Sequence, residues 1–183
     1  MSSLASELAE HAYLEGDFVL RSGRRSRYYL DKYRFETRPD LLGTLGERLA
    51  EAVARWEPAA VRLAGPELGA VALAAAASLS SGLPFLIVRA SAKAYGTANR
   101  LEGAWEPGER VCLIEDVVTS GGAALEAVQA VREAGLECET VVCVVDREEG
   151  GAAALAAQSV QIRPLFRATE LLEARKSAAN PHR

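Results

Sequence analysis

Histidine, cysteine and lysine are all scarce in this chain. Its 183 residues include two histidines, three cysteines and one methionine. His11 and His182 lie near opposite ends, which excludes a centre built on several imidazoles and a His-rich metal site. Cys112, Cys138 and Cys143 fall in or beside apolar runs without metal-ligand spacing, and an odd number of them reads as buried thiols in a reducing compartment. No uncharged apolar stretch approaches the ~20 residues that span a bilayer. Residues 1–10 lack a basic segment followed by an apolar core, so no secretory signal is expected and the cytoplasm is the natural location. Positive charge is also in deficit: the net charge of −4 speaks against broad nucleic-acid binding. Lysine occurs only as Lys32, Lys93 and Lys176, with arginine carrying the rest of the basic charge. A lysine retained in such a chain marks a place for a flexible point charge rather than a planar fork.

What is present is an alternation of strand and helix patterns. Residues 2–15 read as a short amphipathic helix, with Leu4, Leu8, His11 and Ala12 on one face. Residues 18–21 and 27–33 read as two strands around a turn rich in Arg, Ser and Gly. A helix begins near Pro39 and runs to about Trp56 on a stripe of Leu41, Leu42, Leu45, Leu49 and Val53. Strands at 61–64, 84–88, 110–115, 139–145 and 160–166 then alternate with helices at 70–79, 122–134, 152–158 and 169–176, the last capped by Thr169. Residues 89–105 are polar and without period. This order predicts a parallel sheet with helices on both faces. Ligands bind such sheets beyond the strand C-terminal ends. The segments 65–69, 89–103, 115–122 and 146–151 all fall there, so they are expected to form one site.

The richest of these segments is 111–124, Val-Cys-Leu-Ile-Glu-Asp-Val-Val-Thr-Ser-Gly-Gly-Ala-Ala. An apolar strand runs into two carboxylates, Glu115 and Asp116; a turn of Thr119, Ser120, Gly121 and Gly122 follows, and then a helix begins. Free amides at a helix start hold phosphate, and carboxylates just before them accept hydrogen bonds from sugar hydroxyls. A ribose 5-phosphate needs both. The plainer alternative makes Thr119 or Ser120 a simple helix N-cap and the acids a solvated strand end.

The whole string resembles the phosphoribosyl pyrophosphate (PRPP) motif of the type I phosphoribosyltransferases. Four further segments resemble the orotate phosphoribosyltransferase family in particular. Residues 18–29, Phe-Val-Leu-Arg-Ser-Gly-Arg-Arg-Ser-Arg-Tyr-Tyr, look like its N-terminal signature, and 64–69 like its pyrophosphate loop. Residues 89–103, with Lys93, Tyr95 and Gly96, look like its mobile catalytic loop, and 145–151 like its strand-end Asp-Arg motif. The match runs in order over almost the whole chain.

The resemblance implies a Rossmann-like α/β core, a parallel sheet flanked by helices, with a small N-terminal hood: one domain over 1–183, hood about 1–36 and core about 37–176. It implies transfer of the phosphoribosyl group from PRPP to orotate, giving orotidine 5′-monophosphate and pyrophosphate for pyrimidine synthesis, with Mg²⁺ held mainly by PRPP. The transition state resembles an oxocarbenium ion with pyrophosphate leaving, so the demand is chiefly electrostatic. Thr119, Ser120, Gly121, Gly122 and Ala123 are then expected around the 5′-phosphate, and Asp116 with Glu115 on the ribose hydroxyls. Lys93 and Arg89 take the diphosphate as catalytic residues, with Asp116 beside them and Tyr95 in the same loop. Arg147, Arg21, Tyr28, Tyr29 and Thr119 are expected at orotate. Plainer readings remain for several of these: Lys93 as a solvated lysine, Arg147 as a surface arginine paired with Glu148 or Glu149, and the tyrosines as strand packing. The family's loop reaches into a neighbouring subunit's site, so a homodimer is implied, and the 89–103 loop is expected to move without ligand.

The chain departs from the family at Ala90, where some members have a second basic residue, at Tyr95, where some have His, and at Leu68, where some have Lys. Fewer cations in the site are therefore expected. The alternatives are a purine-type phosphoribosyltransferase, against which the Ser22-Gly23-Arg24 and Asp146-Arg147 pieces weigh, and a PRPP-sensing regulator, for which about 17 N-terminal residues are too few to form a helix-turn-helix unit. One domain cut from a fused pathway protein is the last.

Overall fold

In the computed structural model, which describes residues 3–19, 23, 25–91 and 100–179, the first helix is shorter than its periodicity predicts. α1 spans Leu4–Ala12, with Ser3 capping it by accepting the Ser6 amide. The chain turns extended at Tyr13, because Tyr13 and Leu14 pair with Leu30 and Tyr29 across a two-stranded antiparallel ribbon of β1 (Tyr13–Val19) and β2 (Arg25–Leu30). The second strand therefore ends before residue 33. One helical turn, α2 (Tyr33–Glu36), follows and sinks Phe35 to 1% exposure. α3 (Pro39–Trp56) starts where expected, with proline at its first position and Arg38 extended before it.

Five strands then alternate with helices: β3 (Arg62–Pro66), α4 (Gly69–Ser81), β4 (Phe85–Val88), β6 (Arg110–Val118), α5 (Gly122–Glu133), β7 (Glu137–Asp146), α6 (Gly151–Ala156), β8 (Gln161–Arg167) and α7 (Ala168–Ala179). A two-residue strand, β5 (Leu101–Glu102), interrupts the order after β4. The sheet order is β5-β4-β3-β6-β7-β8. All neighbours are parallel except β5, which runs antiparallel to β4, so the purely parallel expectation is corrected at that edge. A strand of two residues has no period to read. α7 begins at Ala168, so Thr169 lies inside its first turn and is not the cap; Glu170 instead accepts the Arg167 amide.

The order reverses between β3 and β6, because β3 leads outward to β4 while β6 leads the other way to β7 and β8. That is the switch point at which open α/β sheets bind ligands. One face of the sheet is covered by α1, α3, α4 and α7 through Leu8, Leu45, Leu49, Leu73 and Leu171. The other is covered by α5 and α6 through Ala127, Val131 and Leu155. The alanines of α4 let it pack closely on both sides: a Cβ on Gly46 of α3 would lie 2.7 Å from the Ala76 Cβ, and one on Gly65 of β3 2.7 Å from the Ala74 Cβ. Cys112, Cys138 and Cys143 are free and buried, and burial pushes the Cys138 thiol up to about 12. No helix among the described residues is long and apolar enough to cross a membrane.

Candidate active site

The C-terminal ends of β3, β4, β6 and β7 lie side by side at one edge of the sheet, and each leads into one of the loops singled out from the sequence. β6 is longer than expected. Val117 and Val118 still pair with Val145 and Asp146, which places Glu115 and Asp116 inside the strand rather than at its end. Both acids are buried, at 6% and 4% exposure, so neither is a solvated strand end.

The turn after β6 settles another alternative. The N-cap of α5 is Gly121, in the left-handed region at φ +84°, and no side chain caps it. Thr119 and Ser120 are exposed beside the first turn of the helix rather than spent on its amides. The α5 N-terminus is thus an uncapped, positively polarised end with hydroxyls at its rim. The β7–α6 loop is tied to this turn: the Arg147 amide donates to the Val118 carbonyl (2.9 Å) and the Gly151 amide to the Thr119 carbonyl (3.0 Å). Asp146 accepts the Glu148 amide at 2.8 Å and so closes that loop on itself.

Arg147 is therefore fixed beside the turn that opens α5. Its guanidinium pairs with Glu149 at 3.0 Å, yet its side chain is only 7% exposed, which removes the surface-arginine reading. It lies 5.6 Å over the Tyr28 ring, and Tyr28 stacks on Tyr13 at 5.2 Å and 8°. The β1–β2 ribbon and the β7 loop thus meet through Tyr28 and Arg147. Tyr29 takes the other side of the pleat, 41% exposed and against Phe18, and is not brought to Arg147.

Arg89, just beyond β4, is held by Glu102 at 3.4 Å across the β4–β5 ladder, while its amide donates to Arg100 at 2.7 Å. In the 65–69 loop, whose Glu67–Leu68 peptide is cis, Glu67 accepts the Ala90 amide at 2.9 Å. Lys93 and Tyr95, on 92–99, and Arg21 lie outside the described residues.

Two residues of the site were not singled out from the sequence. Lys32, between β2 and α2, donates a hydrogen bond to Oδ2 of Asp116, whose Oδ1 accepts the Val117 amide. A Cβ on Gly69 would overlap Asp116 Oδ2 and lie 2.6 Å from Lys32 Nζ, so the pair needs glycine at the start of α4. Glu36 sits close by, 3% exposed. The scarcity of lysine was the only sequence signal for Lys32, and Glu36 left none. Burial, then the Asp116 charge, pushes Glu36 up to about 8 against the opposing pull of Lys32. Burial and Asp116 do the same to Glu115, also to about 8. Burial alone would lower the Lys32 ammonium, but the charge and hydrogen bond of Asp116 reverse this and hold it above its ordinary value.

Buried polar groups are nearly always satisfied. Among the described residues five buried side-chain atoms lack a hydrogen-bond partner, and three of them belong here: Glu36 Oε1, Arg89 Nε and Arg147 Nε. The deficit is concentrated where a polar ligand would sit. By contrast, a recess of about 560 Å³ lies between the C-terminal ends of α3 and α4, lined by Glu51, Ala54 and Ser81 and away from these loops.

The Glu36 proton has a measurable consequence. A carboxyl that titrates near 8 when folded and near 4.5 when unfolded binds the extra proton in the folded chain between those values. Stability therefore falls as pH rises through that window. Glu36→Gln is expected to flatten the fall and to be the more stable protein at pH 9, by at least the ~1.4 kcal/mol of one pKa unit. Urea unfolding at pH 5 and pH 9 checks this; parallel pH profiles for the two proteins would refute it.

No family model matches the chain. Among solved structures, the orotate phosphoribosyltransferase of Aeropyrum pernix aligns with a TM-score of 0.84 at 31% identity, over 93% of this chain and 97% of that one. The Mycobacterium tuberculosis orotate phosphoribosyltransferase in complex with PRPP aligns with a TM-score of 0.76 at 31% identity, over 92% and 99%. The fold is that of a type I phosphoribosyltransferase. The orotate phosphoribosyltransferase of Methanocella arvoryzae is 51% identical over 158 residues, covering 86% of this chain and 88% of that protein. This chain belongs to the orotate phosphoribosyltransferase family.

Proposed function

We propose that the chain transfers the phosphoribosyl group of PRPP to orotate at the β3–β4–β6–β7 edge, giving orotidine 5′-monophosphate and pyrophosphate. The C1–O bond to the diphosphate breaks as the orotate ring nitrogen bonds to C1. The observation that carries this reading is the fixed, buried Arg147 with an unpartnered Nε beside the uncapped start of α5. A planar carboxylate on an aromatic base suits a guanidinium over Tyr28, and a phosphate suits free amides.

In this reading the amides of Gly121, Gly122 and Ala123 and the hydroxyls of Thr119 and Ser120 hold the 5′-phosphate. Asp116, with Glu115, orients the ribose hydroxyls. Arg89, Lys93 and Tyr95 hold the diphosphate, and Lys93 supplies positive charge as it leaves. Arg147, Tyr28, Arg21 and Thr119 surround orotate, while Tyr29, on the opposite side of the ribbon against Phe18, lies outside that set. Mg²⁺ rides on PRPP, where it neutralises the diphosphate. The Asp116 carboxylate already pairs with the Lys32 ammonium, which suits a metal carried by the substrate rather than one drawn to that carboxylate. We further propose a hood over about 1–36 on a core over about 37–176, a homodimer whose 89–103 loop serves the neighbouring site, and a cytoplasmic location.

The test is loss of orotate absorbance with PRPP and Mg²⁺, beside adenine, hypoxanthine, xanthine and uracil. Turnover is expected with orotate alone, and Lys93→Ala is expected to lower kcat by roughly 10²–10³, the worth of one placed charge donor. Turnover of a purine instead would overturn the base assignment. PRPP binding without turnover of any base would favour the sensor.

A further inference from the structure

We propose that Lys32 is a positioning residue for Asp116, supplying from the β2–α2 turn the ammonium that the 65–69 loop, with Leu68, does not present to the acidic pair. The proposal rests on the reading that Asp116 meets the ribose hydroxyls.

Three observations carry it. The pair joins groups 84 residues apart in sequence, and its partner atom belongs to a nearly buried carboxylate. Gly69 is shaped to it, since any side chain there would displace both partners. The charge balance around it is one-sided: Glu115 and Asp116 face it from β6, Glu36 and Tyr33 from α2, and Asp31 adds its charge next to Glu36, while Lys32 is the cation that acts on Glu36 and Glu115 alike. Leu68 is 74% exposed and contributes no charge.

Lys32 thus has two effects on Asp116. It fixes the carboxylate by one oxygen while the Val117 amide fixes the other, so the group meets a sugar without first reorienting. It also offsets the neighbouring acids, so that negative charge persists beside the developing oxocarbenium ion. Without the ammonium, Glu36 and Glu115 lose the charge that opposes their protonation.

The experiment follows kcat and KM for PRPP from pH 5 to 9 in Lys32→Met, Lys32→Arg and Gly69→Ala, with calorimetry of PRPP binding for these and for Asp116→Asn. Lys32→Met is expected to raise KM for PRPP about tenfold with a smaller change in kcat. It is also expected to move the acid limb of kcat/KM, which reports the free enzyme, up by about one pH unit. Lys32→Arg returns the limb towards its original place. An unmoved limb in folded Lys32→Met overturns the proposal, because a merely structural lysine would lower stability and leave the limb where it was. If that variant does not fold, Gly69→Ala wedges the same pair apart and is expected to move the limb likewise; an unmoved limb there overturns it equally. Asp116→Asn separates the two levels. Unchanged PRPP affinity in that variant would overturn the ribose assignment itself. Weakened affinity there, with Lys32→Met unchanged in KM and limb, would overturn only the role of Lys32.

Discussion

Replacing Arg147 with alanine is expected to raise KM for orotate by about 100-fold and to leave KM for PRPP within about threefold. The magnitude follows from what the side chain leaves behind. A buried charge-assisted contact costs about 2–5 kcal/mol when one partner is truncated, and 100-fold is about 2.7 kcal/mol. Glu149, at 21% side-chain exposure, would lose its 3.0 Å partner, and Tyr28 would lose the guanidinium over its ring. The backbone bond from residue 147 to the Val118 carbonyl does not depend on the side chain, so the neighbouring 119–122 turn stays in place. That is why the two substrates should separate. Steady-state kinetics with each substrate varied in turn checks it; equal rises in both KM values would mean that the loop, not the guanidinium, had been lost.

Gly151→Ala is expected to act on the opposite substrate. Its added Cβ would lie 2.6 Å from the Thr119 carbonyl oxygen and 2.6 Å from Val118 Cγ1, and the carbonyl is backbone, which cannot swing aside. The crowding should lower stability by about 1–3 kcal/mol, the usual cost of overpacking. It should also push the 119–122 turn out of register with the α5 amides. We expect KM for PRPP to rise at least tenfold, with 5′-phosphate affinity, measured with ribose 5-phosphate, falling in parallel. A variant as stable as the parent with unchanged phosphate affinity would show that the turn and the β7 loop are independent.

The parts of this site that were legible in the sequence share one property: their signal is local. Residues 111–124 carry strand, acids, glycines and helix in consecutive order, so the Gly-rich turn between β6 and α5 could be placed without knowing its neighbours. The run also misled. Glu115 and Asp116 read as the end of the strand, because charge usually marks solvent, whereas these acids are buried inside it. Tyr13 and Leu14 continue an apolar helical face, and only their pairing with β2 makes them strand. Lys32 was visible as a rare residue but not as a partner of Asp116, since nothing local links positions so far apart. Gly69 read as a turn glycine, and its steric purpose emerges only once Asp116 and Lys32 converge on it.

The β1–β2 ribbon differs from its neighbour α1 in one respect. α1 is bolted into the common core by Leu8, Ala9 and Ala12, and its neighbour α7 is tied to the start of the ribbon by Arg175 on Glu15 and Tyr13. The ribbon itself has two strands, largely exposed beyond Leu14, and two strands alone are marginal in water. Local opening free energies in a folded chain run from near zero up to the global value. The ribbon is expected at the low end of that range and α1 near the top. On the proposed orotate site, the base would enter beside Tyr28 by opening of this ribbon alone, with the packed core left in place. Once the base is seated, the same hairpin should become one of the segments whose amide protection rises most.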